Sequence, residues 1–255
     1  MVTVALPTIL LVSWQILTTP GGAYAGSIPS PGDTLLGFSG WVYTSKRTLF
    51  LNDFNGSWLT HVWASTERVL FGFVIASVLG AVLGVVVGTY HRAELALDPT
   101  IQALRPIPVT AWVPFSLIVF GITEASAIAL IAVAAFFPVF VNTAAGAQRT
   151  PTLLVRAARM LGSSQWFVLR HVVLPSTLPS LFVGLRLAIG MSWVAVIVSE
   201  MVGVKSGLGY MLWQSYYWGR IDILISAMLT VAILGFISDR VVYLTGRRLL
   251  RWAYV

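Results

Sequence analysis

The chain has 255 residues, of which 57% are hydrophobic and only 10% charged, and its formal net charge is +7. A soluble domain needs more polar surface than this composition supplies, so we predict a membrane protein. The basic residues cluster near the ends of apolar segments, which favours a role in membrane orientation over nucleic-acid binding. Because the chain contains no cysteine, disulfides, thiolate catalysis and cysteine-ligated metals are excluded.

No catalytic or metal-binding pattern stands out in the sequence. His61, His91 and His171 lie far apart and beside no carboxylate cluster, so solvated or interfacial imidazoles are expected. The Walker A pattern that cradles nucleotide phosphates does not occur. We therefore predict a non-catalytic subunit that binds no cofactor and cannot hydrolyse ATP itself.

The apolar segments predict an all-α, polytopic membrane protein with a single transmembrane domain, 1–255. A helix needs about 20 residues to cross the bilayer, and the first apolar segment barely reaches this length. That segment lacks a basic leading region and a convincing cleavage site, so it is interpreted as a retained span, with a cleaved signal as the alternative. The predicted spans are about 2–18, 62–89, 107–122, 125–147, 178–202 and 221–244.

The connection after the first span is predicted to be a loop, whereas the second span is predicted to be a closely packed helix. Residues 20–60 are rich in Gly, Pro, Ser and Asn, which predicts an external loop with an interfacial helix near 41–50. In the second span, small residues recur at every fourth position and predict a close helix–helix seam. They are Gly72, Ala76, Gly80, Gly84 and Gly88.

The third and fourth spans contain helix-disturbing prolines. The clean apolar part of the third span, 109–122, covers about 21 Å of a hydrocarbon core about 30 Å thick. With prolines at its start, this element is expected to be either tilted or a discontinuous helix. In the fourth span Pro138 is expected to produce a kink, and Asn142 is the one strongly polar residue.

The fifth span combines a second stripe of small residues with two charges at membrane depth, Arg186 and Glu200. They are separated by about 21 Å along a helix, so they cannot pair with each other. Arg186 is expected to extend its guanidinium towards the interface, whereas for Glu200 a structural hydrogen bond and a gating role remain open. Charges at membrane depth need a partner or a water-lined cavity, so we predict that this span lines such a cavity, with Ser192 and Trp193 turned towards it.

The segment 150–175 interrupts the apolar pattern with basic residues, which places it on the cytoplasmic side. Thr152 is expected to cap a short helix that ends at Gly162. Ser163 or Ser164 is then expected to cap a second, amphipathic helix that ends before Pro175. The same charge rule places both termini in the cytoplasm, although basic residues at 46, 47, 205 and 220 make it a bias only.

The residues of this segment resemble a known motif. Ala157-Ala158, three residues, Gly162 and then Leu174-Pro175 resemble the EAA loop of permease subunits of bacterial ABC importers. HVWASTERVLFGF, LRPIPVTAWVPF and GLRLAIGMSWVAVIVSEM, the last followed by GLGYM, are similar to the nitrate, sulfonate, taurine and bicarbonate branch. The sequence departs from the motif at Arg156, where the family usually has Glu.

This resemblance implies that the loop docks on a separate ATPase. The implied coupling residues are Arg156, Ala157, Ala158, Arg159, Leu161, Gly162 and Pro175. The implied pathway residues are Asn142, Arg186, Ser192, Trp193 and Glu200. The implied partners are a second permease copy, two ATPase subunits that bind ATP and Mg²⁺, and an extracytoplasmic solute-binding protein, all at the bacterial inner membrane.

The resemblance also implies a small anionic solute, with aromatic carboxylates and thiamine-precursor pyrimidines as alternatives. A secondary transporter, ion-coupled carrier or intramembrane enzyme that uses Glu200 and Arg186 is the competing functional class. Carriers usually have several intramembrane acids and internal repeats. The predicted spans offer essentially one acid and no repeat, so the permease is favoured.

Overall fold

The structure is a computed structural model, and it describes residues 2–24, 26–43 and 56–250. Within these ranges the regular structure is helical and contains no strand. A 3₁₀ turn (Val109–Ala111) precedes α5, and a π-helical segment (Leu169–Val173) joins α8 to α9. The α-helices are α1 (Val2–Thr18), α2 (Pro31–Tyr43), α3 (Trp58–Thr89), α4 (His91–Leu104), α5 (Trp112–Phe120), α6 (Glu124–Gln148), α7 (Thr152–Met160), α8 (Gln165–Val168), α9 (Leu174–Gly203), α10 (Leu208–Tyr217) and α11 (Ile221–Leu249).

Four helical stretches of the described part are long and apolar enough to cross a membrane: α3, α6, the run from Gln165 to Gly203, and α11. A fifth candidate is α4 together with the segment Val109–Phe120, which are bent by 87° relative to each other. The predicted third span, 107–122, corresponds to the segment Val109–Phe120, and its tilted or discontinuous form stays a prediction. The all-α, polytopic prediction is confirmed, whereas the count of six spans stays a prediction.

The chain folds as two compact units, each built from two stretches of sequence. Unit 1 contains 1–65 and 205–233, and unit 2 contains 66–204 and 234–255. Helices α3 and α11 contribute residues to both units.

In unit 1, side chains of α3 cap the start of α10. The N–H of Gly207 donates to His61 Nδ1 at 3.0 Å, and the N–H of Leu208 donates to Ser65 Oγ at 2.8 Å. These bonds satisfy N–H groups that the first turn of a helix leaves without intrahelical partners. His61 is buried and its ring stacks on Tyr210, so the expectation of a solvated imidazole is wrong at this position.

Two tryptophans anchor the first part of unit 1. Trp41 is fully buried and its indole N–H donates to Ser57 Oγ at 3.2 Å. Trp58, at the start of α3, donates to Thr230 Oγ1 at 3.2 Å. The interfacial helix predicted near 41–50 overlaps only the end of α2, and residues 44–55 lie outside the described part.

In unit 2, α6 packs closely against α3. A Cβ placed on Gly80 would lie 2.9 Å from Val139 Cβ, and one placed on Gly84 would lie 2.8 Å from the carbonyl oxygen of Phe140. The contacts advance in the same direction along both helices, so α3 and α6 are parallel. The seam predicted from the small-residue stripe is confirmed, and it places the two backbones within direct contact.

Helix α9 packs against α6 in the antiparallel direction. A Cβ on Gly184 would lie 2.9 Å from the carbonyl oxygen of Pro138, while one on Gly146 would lie 2.6 Å from Ser180 Cβ. Helix α6 continues through Pro138, whose carbonyl accepts the amide N–H of Asn142 at 2.8 Å. The core of unit 2 is therefore centred on α6.

We expect Gly84→Ala to destabilise the protein by about 1–3 kcal/mol, because the added methyl group overpacks a backbone contact. The matched control is Gly190→Ala on α9, where an added Cβ meets no atom within 4 Å. That change is expected to stabilise slightly, since alanine is favoured over glycine in a helix. Unfolding free energies in mixed micelles measure both effects. A Gly84→Ala protein as stable as Gly190→Ala would contradict the close seam.

Candidate functional site

The first part of the site is the turn that ends α7. Gly162 has a φ of 77°, in the left-handed region that favours glycine. The N–H of Gly162 donates to Arg159 O at 3.0 Å, and the N–H of Ser163 donates to Ala158 O at 3.1 Å. This pair of bonds is the Schellman closure, which satisfies the last carbonyls of a helix. The prediction that Gly162 ends the helix is confirmed.

The predicted capping residues of α7 and α8 can be compared with the residues that precede these helices in the structure. Ser164 precedes α8 and its hydroxyl oxygen accepts the N–H of Phe167 at 3.2 Å, as a capping serine does. For α7, the capping residue is Pro151, with no side-chain hydrogen bond, and Thr152 is the first helical residue. The prediction of Thr152 as the cap is therefore wrong. Proline already supplies a fixed φ before the helix, and the threonine lies one position too late to act as the cap.

The second helix does not end before Pro175, so that expectation is also wrong. Helices α8 and α9 are joined by the π segment, in which the N–H of Leu174 donates to Leu169 O five residues earlier. Pro175 has no N–H and its ring crowds the preceding turn, and a widened π turn accommodates both. The result is one continuous helical run from Gln165 to Gly203.

The surface of α7 and α8 combines apolar and basic side chains. Met160 is 87% exposed, Leu161 86% and Trp166 67%. Arg156 and Arg159 are exposed on the same short helix. Several large apolar residues exposed together, with basic side chains on the same helix, form a candidate interaction surface.

The opposite face of α7 is anchored in unit 2. Val155 and Ala158 pack against a buried cluster of Ala147, Val168 and Val173. Ala147 belongs to the last turn of α6, and the two valines belong to α8 and the π segment. The α7–α8 surface is therefore attached directly to two long helices.

A buried ion-pair cluster joins three helices at the other end of α6. Arg68 of α3 donates from Nη1 to Glu200 Oε1 at 2.6 Å and from Nη2 to Glu124 Oε1 at 2.7 Å, and its Nε also contacts Glu124. Arg68 is 3% exposed and Glu200 is fully buried, whereas the side chain of Glu124 is 62% exposed. Removing one member of a buried pair costs about 3–5 kcal/mol, so the cluster fixes how these helix ends meet.

Arg186 has an acidic partner that the sequence alone did not reveal. Its Nε and Nη2 donate to the two carboxylate oxygens of Asp239 at 2.9 and 3.0 Å. The guanidinium also lies 5.0 Å from the ring centre of Tyr243. The arginine therefore links α9 to α11, and as expected it does not pair with Glu200.

The remaining predicted pathway residues lie inside unit 2. Ser192 is fully buried and its hydroxyl donates to Ala188 O at 2.8 Å. Trp193 is 4% exposed, and its indole N–H donates to Ser238 Oγ at 3.2 Å. A role for these two side chains at a water-filled surface requires movement of α9, so their place in a pathway stays a prediction. Asn142 is half-buried and lines a cleft of unit 2.

Sequence reasoning missed Arg68, Glu124 and Asp239 as partners of the predicted charges. Arg68 and Glu200 are 132 positions apart in sequence. Only the arrangement of the helices brings these two residues together. In the sequence, the sole sign of such a pair is an acidic or basic residue near the end of a span. Across the ranges that the structure describes, no group of three or more His, Asp or Glu side chains is arranged to hold a metal ion.

The sequence of this chain matches a known protein family. The family described as binding-protein-dependent transport system inner membrane component matches residues 69–251. A putative aliphatic sulfonates transport permease protein of Bacillus subtilis is 33% identical, over 97% of this chain and 86% of its own length. A nitrate import permease protein of Synechocystis is 35% identical, over 91% of this chain and 82% of its own length.

A further relative in sequence and a solved structure of similar fold agree with this family. A bicarbonate transport system permease protein of Synechococcus elongatus is 36% identical, over 94% of this chain and 86% of its own length. A chain of an inward-facing MetNI methionine ABC transporter superposes with a TM-score of 0.65 and 20% identity, over 76% of this chain and 94% of that chain. From the coverage of the family match and of these relatives, we conclude that the chain belongs to the inner membrane components of binding-protein-dependent transport systems.

Proposed function

We propose that two copies of this permease form a pathway for a small anion and that the α7–α8 surface transmits the work of a separate ATPase. Membership of the family implies, in general, an ATPase and a solute-binding protein as partners. The proposed stoichiometry is two permeases and two ATPase subunits, which bind ATP and Mg²⁺, with one external binding protein. The proposed coupling residues are the exposed Arg156, Arg159 and Leu161, with Gly162 and Pro175 setting the backbone.

The continuity of α8 with α9 is the observation that carries this proposal. A force applied to α8 passes through the π segment into a helix of unit 2 without crossing a flexible loop. A contiguous and rigid element of this kind can carry coupling between distant sites. Helix α9 also carries Glu200, so the same helix reaches the buried ion-pair cluster.

The proposed orientation follows from charge. Arg156, Arg159 and Arg170 lie on the α7–α8 side, and Arg247 and Arg248 lie in the last turn of α11. Basic residues are enriched on the cytoplasmic side of membrane proteins, so we assign the α7 end and the C-terminus to the cytoplasm. With six spans, the N-terminus lies on the same side. The end with Glu124 then faces outwards, where the binding protein delivers the solute.

The proposed solute is a small anion of the sulfonate, nitrate or bicarbonate class. Relatives named for an aliphatic sulfonate, for nitrate and for bicarbonate support this class. Binding of each candidate anion to the binding protein encoded beside this permease tests the class directly. Selective binding of an uncharged or cationic solute would contradict it.

We expect Gly162→Asp to leave membrane insertion and permease dimerisation intact and to reduce solute-stimulated ATP hydrolysis to the basal rate. A Cβ at this position meets no atom within 4 Å, so the cost is the left-handed backbone, about 1 kcal/mol or more. The strain misaims α8, and the new carboxylate lies on the proposed docking surface. ATPase co-purification and hydrolysis with the loaded binding protein measure the effect.

The matched control for that experiment is Gly219→Asp. Gly219 also has a positive φ, 65°, and open space around its Cβ position, but it precedes α11 and not α8. We expect Gly219→Asp to have similar backbone strain but to keep solute-stimulated ATP hydrolysis. Normal coupling in Gly162→Asp would remove the α7–α8 turn from the transmission route.

Arg156→Glu restores the residue that the family usually has, so we expect assembly with the ATPase to change little unless the ATPase carries an acid that pairs with Arg156. Such an acid would make the loss of affinity larger at low salt than at high salt. The stability of the permease should change little, since the side chain is exposed. Arg248→Glu is the control, with the same charge change at an exposed arginine of α11. Equilibrium binding of the ATPase across a salt series measures both. Tighter binding of Arg156→Glu would mean that the partner surface is basic.

A last variant separates the permease from an ion-coupled carrier that uses Glu200. Glu200→Gln keeps an acceptor for Arg68 while Glu124 still balances the charge, so ATP-dependent uptake is expected within a few-fold of the wild type. Glu200→Met removes the acceptor and should lower thermal stability. Uptake into proteoliposomes, with and without internal ATP, measures the difference. Uptake driven by an ion gradient without ATP, and lost in Glu200→Gln, would favour the carrier.

A further inference from the structure

We propose that Arg105 and Asn142 form an anion-binding station in a cleft of unit 2, through which the transported solute passes. The inference rests on the proposed function, since it assumes that the solute is an anion. It adds a location and two named side chains to that function. Arg105 is the residue that directly follows the last residue of α4.

The cleft lies between α5, α6 and α9 and has a volume of about 240 Å³. Its polar side chains are those of Arg105, Trp112 and Asn142, and its other walls are apolar. The apolar walls are formed by Ile107, Val109, Val133, Ala134, Phe137, Pro138, Val141, Leu187 and Met191. A space of this size suits a small anion, with or without a short apolar group.

Arg105 is placed at the cleft by the bend between α4 and α5. It follows the last residue of α4, and its backbone N–H still donates to Ile101 O at 3.1 Å. Pro106 and Pro108 follow at once, and neither can continue the helical hydrogen bonds. The chain therefore turns by 87° immediately after the arginine, which leaves its side chain at the corner.

The charge of Arg105 is available to a ligand. The side chain is exposed and has no ion-pair partner anywhere in the described ranges. No acidic side chain is among the described residues that line the cleft. A cation in a cleft with low-dielectric walls concentrates the field and raises the local concentration of anions.

Asn142 supplies a hydrogen-bond donor to the same cleft. Its Nδ2 donates one hydrogen to Pro138 O at 2.8 Å, which holds the amide in place. The amide group has two hydrogens, so the second can donate to an anion. Asn142 therefore supplies a fixed neutral donor to a cleft that Arg105 also lines, and a cleft with only one full charge suits an anion that must be released again.

The first test measures the electrostatic potential of the cleft without knowledge of the solute. Met191 lines the cleft and is 39% exposed, so Met191→Cys introduces a single thiol into a cysteine-free chain. The probes are two methanethiosulfonate reagents of similar size, one with a sulfonate group and one with a trimethylammonium group. Arg105→Gln is expected to lower the ratio of anionic to cationic reaction rates about tenfold.

Two variants control this measurement. Arg105→Lys keeps the charge and should keep most of the ratio. Arg92→Gln removes an exposed charge near the other end of α4, at a residue that does not line the cleft, and should leave the ratio unchanged. A ratio that does not respond to Arg105→Gln, or that responds equally to Arg92→Gln, overturns the proposal.

The second test uses the complete transporter, with its ATPase and binding protein, in proteoliposomes. Uptake of nitrate, bicarbonate and ethanesulfonate is measured together with ATP hydrolysis. Arg105→Gln is expected to lower anion uptake per ATP hydrolysed about tenfold, while hydrolysis stimulated by the loaded binding protein persists. If the wild type takes up anions and Arg105→Gln takes them up equally well, the anion-binding station is overturned and the proposed solute class is not. Absence of anion uptake in the wild type overturns the proposed solute class and the station with it.

Discussion

The arrangement of unit 2 depends on direct backbone contact between α6 and its two neighbours. Gly84 of α3 and Gly184 of α9 each lie where an added Cβ would approach a carbonyl oxygen of α6 within 3 Å. In a bilayer, lipid solvates apolar side chains as well as protein does, so close packing must hold helices together. Small residues make that packing possible. Because the contacts occur along the length of α6, its two ends are held at fixed positions relative to α3 and α9.

The two ends of α6 are specialised in different ways. At the first residue, Glu124, a buried arginine joins three helices through charged hydrogen bonds, which tolerate little displacement. At the last turn, Ala147 packs against the anchored face of α7 and α8, whose other face is exposed. Helix α9 connects both ends. The proposed transmission from the exposed surface to the ion-pair cluster would therefore run through one helix, whose regular α-helical hydrogen bonding is interrupted at the π segment before Pro175.

Local chemistry was predictable from the sequence, and long-range pairing was not. Gly162 and Ser164 act through neighbours within a few residues, and the small-residue stripe follows from helical periodicity. Pro175 was misinterpreted because a proline can end a helix or widen it, and the choice depends on the packing of the following span. The partner of Glu200 was beyond reach, since several charges were compatible with a span end and only the assembled helices select Arg68.

Charge near a membrane surface serves orientation and chemistry at once, and the sequence does not separate them. Arg92 and Arg105 lie at opposite ends of α4, and both satisfy the positive-inside bias equally well. Their surroundings differ, because only the second of the two faces an apolar cleft that also contains Asn142. Orientation requires a number of basic residues and no particular site for each, so it does not explain a cation at the mouth of a cleft. The proposed transport of an anion would explain it, because an anion that leaves water needs a compensating charge.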